Sequence, residues 1–502
     1  MKRTVSPFFG LFAAGMSVFL DACGSSAKGE PVSFPQIASF KENNRTFNTE
    51  LVVSNTSEYF FDVSDFSQRA LKMLEKFQVM FYVPDGRSGG GTVRGGYFAR
   101  YGDTAFNWAF GATHTATLNT HKANPSDTKT LDFLAKLCSD LSIYMVDRQV
   151  VLPSEMWGVQ GKAFTQAERD LNKAMLKPDS MGRILVKYAN ASVYNSGDGY
   201  YDDNIWCVMA LLESGLLLGN YPGYEAVAAK AIADSEALMT FCISGWDEVF
   251  GGGIYWHESK KSKNTCINGP FGMAASMFYE YYSDLNKRSP SAENQNKMAF
   301  YLQWAKVVYE WTYSFLRDNS DGTYLDNVSL DTGKIQDWKF TYNCGTMIST
   351  GARLYAITGD EIYKERALQD SLGAYWKFMK RLSANPDGSD RIDSNDPWFN
   401  VYLIQGYLDV AALLDEHRYI QRMAGTLEYA WHNARDYYGF VLKRWDGSDR
   451  SDDNLFAAVD TLNAAGDIES FALVGIYYNE YYRQLSDSTV SEPYVSSLPG
   501  GA

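Results

Sequence analysis

The sequence predicts an all-α protein built as a ring of helical hairpins, and three observations carry that prediction. Apolar residues recur at spacings of three and four through most of the chain from Asp62 onward, the period of a buried helix face. Strand-like stretches are few and short. The connections alternate between tight turns and long loops rich in Gly, Asp, Asn and aromatic residues, the pattern of stacked hairpins with their long loops gathered at one end.

Taken in order, the periodicity predicts helices over Asp62–Phe81, Thr104–Thr120, Thr128–Asp147, Met181–Ala191, Asp203–Leu218, Tyr224–Ile243, Asn268–Leu285, Ala292–Leu316, Tyr342–Ile357, Glu361–Leu382, Trp398–Asp415, Ile420–Asp436 and Asn463–Arg483. Val208, Leu211, Leu212 and Leu216 show the spacing, as do Phe271, Ala274, Ala275, Phe278 and Tyr279. Asn220-Tyr221-Pro222-Gly223 and Thr358-Gly359-Asp360 are tight connections. Ser196–Asp202, Gly245–Lys263, Asp321–Lys339, Ala384–Pro397 and Arg444–Asp460 are long ones, and Gly199-Tyr200-Tyr201 and Gly322-Thr323-Tyr324 suggest a weakly repeated unit. The segment 149–180 interrupts the repeat and reads as an insertion with one short helix.

Residues 1–22 read as a lipoprotein signal peptide. Lys2 and Arg3 form a basic start, and Pro7 to Leu20 is apolar but too short to span a bilayer. Leu20-Asp21-Ala22-Cys23 then looks like a lipobox, with Cys23 as the lipidated residue; Asp21 is atypical there, which leaves plain secretory cleavage as the alternative. Residues 23–50 read as a polar tether, 51–488 as the helical domain and 489–502 as a disordered tail. The expected location is outside the cytoplasm, anchored by lipid to a bacterial membrane, at the outer surface or in the periplasm.

A net charge of −14 without a dense Lys/Arg run excludes nucleic acid as the natural partner. Cys138, Cys207, Cys242, Cys266 and Cys344 are widely spaced, with no Cys-x-x-Cys pair, and the five His are scattered. No metal and no cofactor is therefore expected, and the cysteines are expected to be mostly buried thiols. Nothing suggests an obligate oligomer, so a monomer is expected. The aromatic share of 15% serves a core first, but flat rings also stack on the apolar faces of sugars.

Three stretches could carry chemistry. The first is Asp198-Gly199-Tyr200-Tyr201-Asp202-Asp203-Asn204-Ile205-Trp206, where two carboxylates stand at a loop-to-helix junction. Capping is the plainer account, because Asp suits both an N-cap and a first turn. The chemical account is a pair of neighbouring carboxyls with split pKa values, as glycosidic bond cleavage requires. Asp452-Asp453-Asn454 repeats the letters without the aromatic run and reads as a polar loop. The second stretch is Gly251-Gly252-Gly253-Ile254-Tyr255-Trp256, followed by Lys263-Asn264 and Asn268. It lacks the Lys-Ser/Thr of a phosphate loop, and offers Tyr255 and Trp256 as a stacking platform or simply a tight turn. The third is Thr341-Tyr342-Asn343-Cys344-Gly345, again a Tyr and an amide at a helix start.

Together, and in this order, these stretches resemble glycoside hydrolase family 76, with Leu354–Asp360 and Leu462–Ala465 matching more weakly. The resemblance implies an (α/α)6 barrel and an endo-acting enzyme that cleaves α-1,6-mannosidic links in mannan with retention. It implies Asp202 as nucleophile and Asp203 as general acid/base. It also implies sugar contacts from Tyr201, Trp206, Tyr255, Trp256, Asn264, Asn268, Tyr342 and Asn343. The chain departs from the family pattern at Phe106–Phe110, at Cys207 and in the insertion. Two other readings stay open: a glycan-binding lipoprotein without catalysis on the same fold, and a transglycosidase of the family. An epimerase of this shape is disfavoured because it would need paired His in the cleft.

Overall fold

A computed structural model of the chain describes residues 65–480 apart from 84–91, 94–104, 159–160, 192–198, 393–395, 437 and 452–459, together with two strands nearer the N-terminus. The expected signal peptide, Cys23, the 489–502 tail and the Asp452-Asp453-Asn454 stretch lie outside the described residues. The chain divides into one unit ending at Ser54 and another starting at Asn55. In the first, β1 (Ser39–Glu42) pairs antiparallel with β2 (Arg45–Asn48).

The second unit holds α1 (Phe66–Phe81), α2 (Asn107–Ala123), α3 (Thr128–Asp140), α4 (Gln166–Leu176), α5 (Tyr201–Leu218), α6 (Glu225–Ser244), α7 (Thr265–Arg288), α8 (Ala292–Leu316), α9 (Thr341–Thr358), α10 (Glu361–Tyr375), α11 (Pro397–Leu414), α12 (Arg418–Asn433) and α13 (Thr461–Glu480). Helices α2, α5, α7, α9, α11 and α13 each pack on the next, and α13 packs back on α2, closing an inner ring of six. The outer layer is α3, α6, α8, α10, α12 and α1. The first helix, α1, covers the last, α13, so the two ends of the domain close the barrel.

Sequence explains which helices go inside. An inner helix touches neighbours on every side and must be apolar or small all round. In α5, every residue from Cys207 to Leu212 is at most 1% exposed. Close packing also selects glycine. A Cβ on Gly345 of α9 would lie 2.0 Å from the Tyr402 carbonyl oxygen of α11, and one on Gly406 of α11 would lie 2.6 Å from the Gly345 oxygen.

The inner helices start at the same end of the barrel. Trp108 in the first turn of α2 meets Trp398 in the first turn of α11 at 4.9 Å, and Trp206 of α5 meets both Trp398 and Tyr342 of α9. The long loops therefore open onto one face, as their composition predicts.

Two predicted helices differ from the structure. Residues 181–191 form no helix; Arg183–Ala189 is a strand, β4, paired antiparallel with β3 (Met145–Val151), and the predicted helix from Thr128 stops at Asp140. Ile184, Val186 and Tyr188 are buried while Arg183, Leu185 and Lys187 are exposed, a period of two that the apolar count over the segment conceals. The one helix expected in the insertion is α4, which opens with a Thr165–Glu168 capping box. Its Asn172 accepts hydrogen bonds from Gln303 and Trp304, docking the insertion on α8.

Candidate active site

The Asp pair sits inside the first turn of α5, and neither residue caps it. The N-cap is Tyr200, whose side chain makes no capping bond, and Asn204 braces the turn instead. Its amide donates to the Tyr200 carbonyl at 2.7 Å and makes a two-point bond with the backbone of Ala189, at 2.7 and 3.1 Å. Asn268 repeats this on α7: it donates to the carbonyl of the N-cap Asn264 and pairs both ways with Ile254.

The first two sequence stretches come together as an antiparallel crossing. Tyr201 N–H donates to the Trp256 carbonyl and Glu258 N–H to the Gly199 carbonyl, at 2.9 and 3.1 Å. The Glu258 carboxylate accepts from Gly199 N–H and pairs with Arg148 of β3. This crossing carries Trp256 onto the pair: its indole Nε1–H donates to Asp202 Oδ2 at 2.7 Å. Cys266, in the first turn of α7, brings its Sγ to 3.5 Å from the same oxygen. Asp202 Oδ1 is buried and accepts from no other side chain.

The electrostatics split the pair. Burial raises the Asp202 carboxyl to about 6, held back by hydrogen bonds from Trp256, the Asp203 backbone N–H and Cys266. Burial raises Asp203 well above the carboxylate range, and the Asp202 charge pushes it further. A helix N-terminus favours a carboxylate by up to ~2 kcal/mol, so here desolvation outweighs the dipole at both positions. The surroundings therefore favour ionisation of Asp202 over that of Asp203.

Around the pair stand Trp206, 3% exposed and packed on Tyr402 and Trp398, and Tyr342, 9% exposed, whose hydroxyl feels Cys266, Asp326 and Asp202. Two further carboxyls, Asp326 buried and Asp396 half-buried, flank this end of the barrel. Asp326 is raised to about 6 by burial, relieved by Asn327 and Asn343, and Asp396, the N-cap of α11, to about 7 by burial and by Asp460.

Other residues expected to touch a sugar are committed behind the wall. Tyr201 is 3% exposed and stacks on Phe241 at 4.7 Å. Tyr255 is 1% exposed and lies under the Lys263 ammonium at 4.7 Å. Asn268 and Asn343 are fully buried, and Asn264 accepts from Ser262. Trp256, expected as a stacking platform, acts as a hydrogen-bond donor to Asp202. The Gly run serves conformation: Gly253 has φ +85°, and a Cβ there would strike the Trp311 ring at 2.6 Å. Lys263, lowered to about 8 by burial, holds that loop by donating to Asp247 and to the Val249 and Gly252 carbonyls.

Sequence reasoning gave no role to Cys266, Asn204, Asp326 and Asp396. Asp396-Pro397 carries the signature of an N-cap followed by Pro at N1, which could have placed it at a helix start. No local signal marks Cys266. Among the described residues, all five cysteines are buried free thiols, and no group of three His, Cys, Asp or Glu could hold a metal ion.

A ring of six inner helices with an Asp pair at one helix start defines a class of carbohydrate-processing barrel, and the comparisons narrow it. The profile of Glycosyl hydrolase family 76 matches residues 185–465, and the chain belongs to that family. It is 25% identical over 278 residues to the mannan endo-1,6-alpha-mannosidase DCW1 of Eremothecium gossypii, a match covering 50% of this chain and 57% of that protein. It is 28% identical over 183 residues to DCW1 of Saccharomyces cerevisiae, covering 34% of this chain and 36% of that one. The chain thus spans 57% of the length of the first relative and 36% of the second. Among solved structures, a GH76 alpha-mannanase of Bacteroides thetaiotaomicron superposes with a TM-score of 0.63 at 17% identity, covering 88% of this chain and 100% of that one. An inactive variant of the alpha-1,6-mannanase of a Salegentibacter species, with two successive Asp changed to Asn and alpha-1,6-mannotriose bound, gives 0.56 at 20% identity, covering 82% and 99%. These likenesses bear out the (α/α)6 barrel.

Proposed function

We propose that the protein is a retaining endo-α-1,6-mannanase, with Asp202 as nucleophile and Asp203 as general acid/base. The observation that carries this reading is the unequal supply of donors to two adjacent carboxyls. Asp202 receives an indole N–H and a thiol, which steady its charge. Asp203 has burial and a neighbouring anion, which keep it protonated. That is the division of labour a double displacement needs. Consecutive residues on a helix diverge by about 100° around its axis, so one helix start presents the two carboxyls from different directions to one sugar.

In the first step the Asp202 carboxylate bonds to the anomeric carbon, and Asp203 gives its proton to the departing glycosidic oxygen. Asp203, now ionised, takes a proton from water, which displaces Asp202 from the anomeric carbon and regenerates both groups. Two inversions leave the starting configuration. The names of the relatives and the inactivating Asp pair of the Salegentibacter enzyme support the substrate and the residues.

The reading is tested by incubating the protein with unbranched α-1,6-mannan and measuring new reducing ends. Wild type should release oligosaccharides. Asp203→Asn should lose about 10²–10⁴-fold, the usual weight of general acid catalysis, and Asp202→Asn at least as much. No release from any mannan would overturn the activity, and an active Asp202→Asn variant would overturn the site.

A further inference from the structure

Beside the catalytic pair, an aromatic ridge climbs from the cleft floor to the surface, and no assigned role accounts for it. Tyr342, 9% exposed, is its foot. Phe340 stacks beside it at 5.7 Å, and Phe399 of α11 packs against both, at 4.5 Å from Tyr342 and 5.6 Å from Phe340; both Phe rings are half-buried. Trp338, two residues earlier, is 39% exposed. Exposure therefore rises steadily away from Asp202. A large apolar ring in water is unfavourable unless something covers it.

The ridge is also held in place. Phe340 is extended, with φ −128° and ψ 146°. Between Trp338 and Phe340, the Lys339 ammonium turns inward onto Asp318 and Asp321, at 2.6 Å to each, and its side chain is only 10% exposed. In an extended stretch alternate side chains face opposite ways. Anchoring Lys339 thus fixes the side on which Trp338 and Phe340 stand.

We propose that Trp338, Phe340 and Phe399 form an accessory subsite that stacks on a hexopyranose of the mannan chain beyond the reacting unit, so that the enzyme favours long chains over short ones. The occupant follows from continuity, because the ridge begins at Tyr342, which borders Asp202 and Trp206. Flat rings match the C–H faces of pyranoses, and Phe, which has no polar tip, suits contact without hydrogen bonding. A chain linked 1,6 has an extra rotatable bond per unit, so a second hold far from the reaction reduces the freedom lost when the chain binds. This inference rests on the mannanase reading.

The test measures kcat/KM on α-1,6-mannan and on the shortest α-1,6-manno-oligosaccharide that is cleaved. In Trp338→Ala and Phe340→Ala the polymer-to-oligosaccharide ratio should fall about tenfold, mainly through KM on the polymer. Trp338→Phe and Phe340→Tyr, which keep the ring, should restore most of the ratio and so exclude misfolding as the cause. An unchanged ratio, or an equal loss on both substrates that the ring-keeping variants do not restore, would overturn the subsite. Affinity electrophoresis in mannan-containing gels, in an Asp202→Asn/Asp203→Asn background, separates the two proposals. If Trp338→Ala weakens retardation there while the wild type cleaves nothing, the subsite stands and the hydrolase reading falls. If the parent is not retarded at all, the subsite falls.

Discussion

Asp202 and Asp203 follow one another in the first turn of α5, yet their surroundings differ at the level of single atoms. Trp256 and Cys266 both reach Asp202 Oδ2, and burial acts on both carboxyls. Because the Asp202 carboxyl is raised only to about 6, activity should fall as pH drops through that region, where the nucleophile takes up its proton. It should fall again at high pH as Asp203 loses its own, and the two limbs belong to the pair as a unit. Cys266 gives this a sharp check. Removing the thiol in Cys266→Ala takes away one donor to the Asp202 carboxylate, so the acid limb of kcat/KM should move upward by about half a unit, while Cys266→Ser should restore or overshoot it. Besides these donors, the backbone N–H groups of Asp203 and Asp202, the Asp203 carboxyl, Tyr342 and the buried thiol of Cys242 also bear on Asp202. A loss of rate without any shift of the limb would reduce Cys266 to packing.

At the scale of elements, the site depends on six inner helices starting at one end in register. The contact between α9 and α11 is the tightest point of that register, with Gly345 against the Tyr402 carbonyl. Gly345→Ala must push α11 away from α9 or strain both, and should cost roughly 1–3 kcal/mol, read as a lower denaturant midpoint. A midpoint unchanged from wild type would mean the helices adjust freely. The same elements show what the chain declares on its own. Twelve of the thirteen predicted helices correspond to helices of the barrel, the one from Thr128 cut short, because a helix buried on one or all sides writes its period into the apolar pattern. The 181–191 segment misleads because alternation over seven residues also places apolar residues at helical spacings. The Asp pair was legible because a loop-to-helix junction is a local feature. Trp256 and Tyr342 were legible as neighbours of motifs, though not in their roles: whether a ring stacks or donates depends on a crossing between segments 55 residues and more apart in sequence. Cys266 and Asp326 carry no mark in sequence, since their importance comes only from what the ring brings beside them.

At the scale of the whole molecule, a barrel this size buries many carboxyls. Asp326 and Asp370 are raised to about 6, Asp396 and Asp436 to about 7 and Glu469 to about 8, each mainly by burial. An acid whose folded pKa lies above its unfolded value of about 4 binds more protons in the native state, so stability falls as pH rises through that interval. Buried His114, lowered to about 3, and His121, also lowered, act oppositely, but only below about 6.5, where they charge on unfolding. Lys76 and Lys263, lowered to about 8 by burial, also oppose the acids near pH 8, but they are outnumbered, so the thermal midpoint by calorimetry should rise by a few degrees on going from pH 8 to 6.5. A midpoint that falls over that range would mean these carboxyls are ionised in the native protein. The barrel, the split pair and the ridge all serve one claim, that a covalent sugar–Asp202 intermediate forms and is hydrolysed with Asp203 as base. Proton NMR of the first minutes of α-1,6-mannan hydrolysis tests it most directly. Retention predicts that new reducing ends appear as the α-anomer and only later mutarotate; β-anomer appearing first would contradict the account.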